Sequence, residues 1–358
     1  MTTSAIRVLV VDDSAFMRKV LVKMLEPYPD IHVVATAMDG IFALDKIARA
    51  RPDVVTLDLE MPRMDGLTAL ARLVGEHELP VILVSAHTSE GAKATFEGLA
   101  AGAVDFVTKP ERIFSSPLGA LADALVEKIR MAAKVKVNRA SRVDVPHPVV
   151  GRDLGRGSSP ALDVVAIAVS TGGPNALSKI LGGIDDGFGR ALLIVQHMPE
   201  GFTGQFAERL NRLAAIEVRE AEDGDCITAG LALLAPGGRH MEVTRSQGRL
   251  HVRLSRTPPV GGHRPSADIL FRSVAEVVGG RAVGLILTGM GEDGARGLGA
   301  IRAAGGLTVA QDEASSVVYG MPRAAIQRGA VRTVLPLPEM ASFLNSLETE
   351  KRGSPWNA

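Results

Sequence analysis

The feature that most constrains the fold is an alternation of short, β-branched apolar segments with longer segments of helical period, and the chain runs through it twice. Between residues 5 and 133 the segments IRVLVV, HVVAT, DVVTLD, PVILVSA and AVDFV are followed in turn by a helix opening at Ser14 and by IFALDKIA, LTALARLV, KATFEGLA and LGALADALVEKIR. From Leu162 the alternation resumes, with DVVAIAVS, ALLIVQH, LALLAPG, AVGLILTG and GLTVAQ as strands and helical patterns between most of them. A strand that is apolar on almost every residue is buried on both faces, and strands separated by helices pair in parallel with those helices covering the sheet. Two α/β domains are therefore expected. The stretch HMEVTRSQGRLHVRLS alternates around Gln247-Gly248 and reads as a β-hairpin. Between the two series, KVKVNRASRVDVPHPVVGRDLGRGSSP is basic, rich in Pro, Gly and Ser, and without period, which is linker composition. The expected bounds are 1–133 for the first domain, 134–160 for the linker, 161–348 for the second domain and 349–358 for a tail.

Aromatics are only 4% of the chain, so both cores must be built from aliphatic side chains and Met. Lys+Arg and Asp+Glu are both 40, and zero net charge argues against a broad nucleic-acid or acidic-membrane footprint. One cysteine, Cys226, leaves no intrachain disulfide framework and no CxxC metal knuckle, which points to a reducing, cytoplasmic compartment. The first residues, MTTSAIRVLVVDD, do not read as a signal peptide, and no run approaches the ~18 apolar residues of a membrane span.

The first chemical constellation is acidic. Asp12 and Asp13 end the first strand and Asp58 the third, Ser85 ends the fourth, and Lys109 follows the fifth in the order Lys109-Pro110. In an open parallel sheet, ligands sit beyond the carboxyl ends of the strands, at the point where the strand order switches. Three carboxylates there make a hard-oxygen pocket suited to Mg²⁺. A hydroxyl and an ammonium group beside them complete a set suited to phosphoryl transfer onto an Asp. The motifs VVDDS, DLEMPRMDG, VS and TKP make roughly the first 125 residues resemble the response-regulator receiver family, whose fold is a flavodoxin-like (βα)5 sheet. The resemblance implies that Asp58 is the phosphoacceptor and that Mg²⁺ is held by Asp13 and Asp58, with Asp12 helping through water and the Glu60 carbonyl as a further ligand. It also implies that Ser85 and Lys109 contact the phosphoryl group and that Phe106 is a switch aromatic.

The second constellation is nucleophilic. DVVAIAVS delivers Ser170 into Thr171-Gly172-Gly173-Pro174, where two glycines permit a tight turn and Pro174 suits a first helical turn. A serine at such a turn lies where helix N–H groups face a developing anion. The next strand ends at His197, and a later one leads into Met290-Gly291-Glu292-Asp293. A hydroxyl needs a base to take its proton, and a carboxylate on the far ring nitrogen orients that base. The surrounding sequence is not the GxSxG elbow, and the order is Ser, His, Asp. The segments VSTGGP, QHMP, APGGRH, HRPSADILFRSVA, LTGMGEDGARGL and AQDEASSVVYGMPRAAI, in that order, resemble the catalytic domain of the chemotaxis protein-glutamate methylesterase/protein-glutamine glutaminase (CheB) family, a doubly wound, mainly parallel α/β domain with a β-hairpin.

The resemblance implies Ser170 as nucleophile, His197 as base and acid, Asp293 as orienting carboxylate, the Met290 N–H in an oxyanion hole and Thr171 assisting. It implies hydrolysis of glutamate methyl esters, and deamidation of specific glutamines, on the cytoplasmic helices of chemoreceptors, serving adaptation in chemotaxis. No cofactor is called for in the hydrolysis. A chemotaxis histidine kinase would be the phosphodonor, with the unphosphorylated receiver covering the active-site face of a monomeric protein. A DNA-binding output would need a basic recognition module, which neither the charge nor the second α/β series offers. A nucleotide-binding output would rest on STGGPN alone, since GxGxxG and GxxxxGK[ST] are absent. An adaptor without catalysis is disfavoured by the intact Ser170, His197 and Asp293. The remaining histidines lack metal-ligand spacing and read as surface or structural; Arg239-His240 and His263-Arg264 could contact an acidic substrate but read first as solvated loop, and Cys226 as a packing residue.

Overall fold

The apolar runs of the first series become one parallel sheet. In the computed structural model of the chain, the described residues are 5–86, 88–109, 118–135 and 164–349, and they belong to two units, Met1–Val145 and Pro146–Ala358. Most of the expected linker (136–160) and tail (350–358), together with Pro110, His87 and His147, lies outside the described residues. The first unit runs β1 (Ile6–Val11), α1 (Ala15–Leu25), β2 (Ile31–Ala37), α2 (Gly40–Ala50), β3 (Val54–Leu57), α3 (Gly66–Gly75), β4 (Val81–Ser85), α4 (Ser89–Ala100), β5 (Asp105–Thr108) and α5 (Leu118–Ala132). Its strand order is β2-β1-β3-β4-β5 with every pair parallel, the flavodoxin-like order, whose switch point lies between β1 and β3. Ser14, Asp39, Asp65 and Thr88 cap α1 to α4, each side chain accepting the backbone N–H three residues on. Each cap satisfies an orphan donor at a helix start and so fixes where the loop after a strand ends.

The second unit runs β6 (Val164–Val169), α6 (Gly173–Leu181), β7 (Ala191–Gln196), α7 (Thr203–Asn211), β8 (Glu217–Glu220), β9 (Leu231–Leu234), β10 (His240–Ser246), β11 (Arg249–Ser255), α8 (Ala267–Val277), β12 (Ala282–Ile286), α9 (Ala295–Ala303), β13 (Leu307–Gln311), α10 (Met321–Gln327), β14 (Thr333–Leu335) and α11 (Leu337–Thr349). Seven of these strands form a sheet in the order β14-β13-β12-β6-β7-β9-β8, all parallel. The central strands β6, β7 and β12 are buried at every residue, as apolar runs covered on both faces must be. The edge strands β8 (EVRE) and β14 (TVL) were not expected from the sequence. They are short, and β8 is charged, which is how sheet edges avoid pairing with other chains.

The hairpin forms as a separate two-stranded sheet of β10 and β11. Gln247 (φ 49) and Gly248 (φ 79) are both left-handed, as a type I′ turn requires. Its inward residues Met241, Val243 and Val252 join the core beside Phe271 and Val274 of α8, Ala168 of β6 and Ile286 of β12. The sheet order reverses between β6 and β12, so a ligand site is expected beyond the carboxyl ends of the central strands.

Candidate functional site

The switch point of the first unit gathers the acidic residues. Asp12 and Asp13 follow β1 and Asp58 follows β3, and one oxygen from each lies within 4.8 Å of the others. Asp12 and Asp58 are buried, whereas Asp13 is exposed. Lys109, just past β5, sets its Nζ 2.6 Å from Asp58 Oδ2 and 3.0 Å from Asp12 Oδ2. The second contact is an ion pair without hydrogen-bond alignment, since Asp12 Oδ2 is buried and accepts no hydrogen bond. Burial pushes the Asp58 carboxyl above its ordinary range, the Asp12 charge adds to this, and Lys109 opposes it. Burial disfavours the Lys109 ammonium, but its contacts with Asp58 and Asp12 outweigh that and raise its pKa.

Three carboxylates facing one ammonium leave an excess of negative charge, and this all-oxygen donor set fits a hard divalent cation such as Mg²⁺. The Glu60 N–H donates to Asp58 Oδ1 at 3.2 Å. Ser85 directs its hydroxyl to the Gly91 carbonyl, 3.0 Å away, and accepts from Thr95 at 2.6 Å. Phe106 in β5 is buried, with Lys128 Nζ 5.7 Å from its ring centre. Gly66 opens α3 so close to the Asp58 loop that a Cβ there would lie 2.4 Å from the Asp58 carbonyl oxygen.

The switch point of the second unit gathers Ser170, His197 and Asp293. Val169 and Gln196 are register partners at the ends of β6 and β7, so the next residues, Ser170 and His197, leave adjacent strands side by side. The His197 N–H donates to the Val169 carbonyl (3.1 Å), and the Ser170 N–H donates to Thr288 beyond β12 (3.0 Å). Gln196 locks this edge, its side-chain amide donating to the carbonyls of Ser170 (3.0 Å) and His197 (3.2 Å). Gly172 turns the chain at φ +78, with the Val317 side chain 2.7 Å from where a Cβ would stand. The loop after β12 packs directly on the serine: a Cβ at Gly289 would lie 2.8 Å from Ser170 Cβ. Met290 is the next residue of that loop. Thr171 is buried, its carbonyl accepting from the Thr288 hydroxyl at 2.9 Å.

Asp293 is the most heavily held group of the site. Oδ2 accepts from His197 Nε2 (2.8 Å) and the Ala267 N–H (2.7 Å), and Oδ1 accepts from the Ser266 hydroxyl (2.7 Å) and the Asp268 N–H (3.2 Å). Two of those donors are the first N–H groups of α8, so the carboxylate also sits at the positive end of that helix. Burial opposes its charge, yet the hydrogen bond and charge of His197 and the bonds from Ser266 and Ala267 prevail and hold it at about 2.

His197 presents Nε2 to the carboxylate, which leaves Nδ1 as the nitrogen available to a hydroxyl. That is the reverse of the chymotrypsin arrangement, in which Nδ1 faces the acid. Nδ1 is buried and has no hydrogen-bond partner, so the serine–histidine bond is not closed. Such contacts commonly tighten only once substrate is bound. The grouping holds what acyl transfer needs: a hydroxyl, an imidazole nitrogen to take its proton, and a buried anion to balance the imidazolium.

Two sequence readings are corrected. His240 is not in a solvated loop; it is fully buried, its Nδ1 accepting from the Ser266 N–H (3.1 Å) and its Nε2 3.2 Å from the Pro258 carbonyl. His263 is half-buried and stacks on His197 with ring centroids 3.9 Å apart. Neither role, nor that of Ser266, had a local signal, because each depends on partners distant in the chain; only their place inside the family-like segments APGGRH and HRPSADILF pointed to them. A groove of about 470 Å³ beside the loop after His197 is lined by Glu200, Glu208, Glu220, Glu222, Asp223 and Arg239 and includes none of the three strand-end groups.

Comparison with known proteins agrees with this architecture. Residues 8–114 match the response regulator receiver domain family and residues 165–344 the CheB methylesterase family. The chain is 50% identical over 369 residues to the protein-glutamate methylesterase/protein-glutamine glutaminase 2 of Koribacter versatilis, covering 100% of both chains. It is 48% identical over 338 residues to the protein-glutamate methylesterase/protein-glutamine glutaminase of Pectobacterium atrosepticum, covering 94% of this chain and 95% of that one. The crystal structure of the Thermotoga maritima CheB methylesterase catalytic domain superposes with a TM-score of 0.51 at 34% identity, over 52% of this chain and all of that one. With a receiver unit ahead of a matching catalytic unit and relatives that align end to end, the chain belongs to the CheB methylesterase family.

Proposed function

We propose that the chain is a phosphorylation-controlled hydrolase of glutamate methyl esters on the cytoplasmic helices of chemoreceptors, which also deamidates receptor glutamines and serves chemotactic adaptation. One observation carries this reading: Ser170 and His197 leave the ends of adjacent central strands with Asp293 bonded to His197, in a chain whose full-length relatives are named for these activities. Ser170 Oγ attacks the ester carbonyl as His197 Nδ1 takes its proton, and Asp293 balances the imidazolium. The Met290 N–H, with Thr171 beside it, faces the tetrahedral oxyanion. The proton then passes to the leaving methoxide, methanol departs, and water hydrolyses the acyl-serine by the same shuttle to give glutamate. With a glutamine substrate the leaving group is ammonia. Neither route calls for a cofactor.

In the receiver unit, Asp58 accepts the phosphoryl group from a chemotaxis histidine kinase. Asp13, Asp58 and the Glu60 carbonyl, with Asp12 through water, would hold Mg²⁺, which offsets charge on the phosphoryl oxygens. Lys109 and Ser85 contact those oxygens, which requires the Ser85 hydroxyl to leave Gly91, and Phe106 responds as the switch aromatic. The proposed domain extents are 1–133, 134–160, 161–348 and 349–358, and the protein acts as a cytoplasmic monomer, without nucleic acid and without inserting into the membrane. No described helix is long and apolar enough to cross a membrane. The test is methanol release from methylated receptor, with and without a small-molecule phosphodonor. Ser170→Ala should abolish release, and Asp58→Ala should keep the basal rate but lose stimulation. Wild-type turnover in Ser170→Ala would overturn the mechanism.

A further inference from the structure

His263 stands outside the three strand-end groups, yet its imidazole lies flat on that of His197, with centroids 3.9 Å apart and planes within 4° of parallel. We propose that His263 is a positioning residue for the hydrolysis, a flat neutral plate that sets the plane of the His197 ring and so the direction of Nδ1. The proposal rests on the hydrolase reading above.

His197 is held at its Cα by the end of β7 and at Nε2 by a single hydrogen bond that it donates to Asp293. Those two anchors leave the ring free to roll about the line between them. Nδ1 makes no hydrogen bond that would stop the roll. The stack is a contact that resists that roll, and a base must point along the proton it abstracts.

The chain builds this contact deliberately. Val260 and His263 exchange both backbone hydrogen bonds, at 3.0 and 3.1 Å, around Gly261 (φ 59) and Gly262 (φ 85). Positive φ at both central positions is the requirement of a type I′ turn, so this is a tight, side-chain-independent support. Three residues on, Ser266 donates to Asp293. One segment therefore aligns both the face of the histidine and the carboxylate on its edge.

Burial, followed by the positive charge of His197 and partly offset by Asp293, lowers the His263 pKa to about 4. Those two groups are the charges that act on it; the neighbouring Arg264 guanidinium is engaged with the carbonyls of Arg256 and Thr257. When His197 takes the serine proton, His263 is thus neutral and offers its π face to the imidazolium.

The test uses the full chain with His263→Ala, His263→Phe and His263→Arg. Methanol release from a peptide bearing a glutamyl γ-methyl ester gives kcat and KM across the pH range, and NMR of the His197 ring gives its titration without substrate. Loss of the plate in His263→Ala should lower kcat about tenfold while KM stays within about twofold. Phe restores a flat neutral face and should recover kcat to within about threefold of wild type. Arg restores the flat face but adds charge, so the acid limb of kcat/KM and the His197 midpoint should both move to lower pH by about one unit relative to Phe. Wild-type kcat in His263→Ala, a Phe variant no better than Ala, or equal His197 midpoints in the Phe and Arg variants would each overturn the proposal. Should wild type release no methanol, the hydrolase reading fails instead, and the NMR comparison still decides the stack.

Discussion

Asp293→Asn should lower kcat by about 10³ while preserving the tautomer of His197, and the size of that loss follows from the way the carboxylate is held. The amide has one oxygen and one NH₂ to place among four donors. With NH₂ at the Oδ2 position it would oppose the Ala267 N–H, which cannot turn, and would force His197 to the other tautomer. With NH₂ at Oδ1 it opposes only the Asp268 N–H, the longest contact at 3.2 Å, while the Ser266 hydroxyl rotates to accept. The second placement wins, so an oxygen still faces His197 Nε2 and what disappears is the charge.

Two unit charges about 4 Å apart at an effective dielectric of about 20 attract by about 4 kcal/mol, and the attraction exists only once His197 is protonated in the transition state. About 4 kcal/mol is about 10³ in rate. One buried N–H loses its acceptor, which costs about 1–3 kcal/mol of stability. Asp293→Ala should fall further, by about 10⁴, because nothing then holds the tautomer. The assay is methanol release at saturating substrate for both variants, with urea unfolding at neutral pH. An Asn variant within about fivefold of wild type would refute the charge argument, and equal losses in Asn and Ala would refute the placement.

Asp293 is held at about 2 against an ordinary 3.8, so the stability it contributes is complete above pH 3.8 and is lost as pH falls through about 2. Urea midpoints should show a loss of about 2 kcal/mol across that window, absent in Asp293→Asn. His263, lowered to about 4 from 6.5, acts in an earlier window, since a fold that keeps it neutral loses stability as pH falls from 6.5 towards 4. Gly173→Ala would place a Cβ 2.0 Å from Gln196 Oε1 and 2.8 Å from Val169 Cγ2. It should cost about 1–3 kcal/mol and lower kcat by displacing the amide that holds the Ser170 and His197 carbonyls, which a thermal melt and methanol release would check. Gly66→Ala meets backbone at 2.4 Å, where no side chain can yield, and should abolish phosphoryl incorporation at Asp58 from a small-molecule donor.

The central architecture was legible because its cause is local. Strands buried on both faces, such as β6 and β7, must be apolar at every residue, and that leaves a run no helix or surface strand would carry. Chemistry placed at the carboxyl ends of such strands is legible for the same reason: once VVAIAV and ALLIVQ are strands, Ser170 and His197 are their next residues. The hairpin turn at Gln247-Gly248 announces itself through the left-handed conformation it demands. The edge strands β8 and β14 left no such mark, since each is only a few residues long and half-exposed.

Other features were decided only when distant segments met. That Asp293 takes Nε2 and leaves Nδ1 without a hydrogen-bond partner, that Ser85 turns to Gly91, that His240 is buried and that His263 stacks on His197 are all outcomes of rotamer and neighbour. Sequence alone determined two parallel α/β sheets and which side chains stand at their edges, because backbone pattern and burial are written in neighbouring residues. Tertiary structure alone decided which atom of each side chain faces which partner, because a side chain in a loop takes its orientation and its charge from groups the chain brings in from elsewhere.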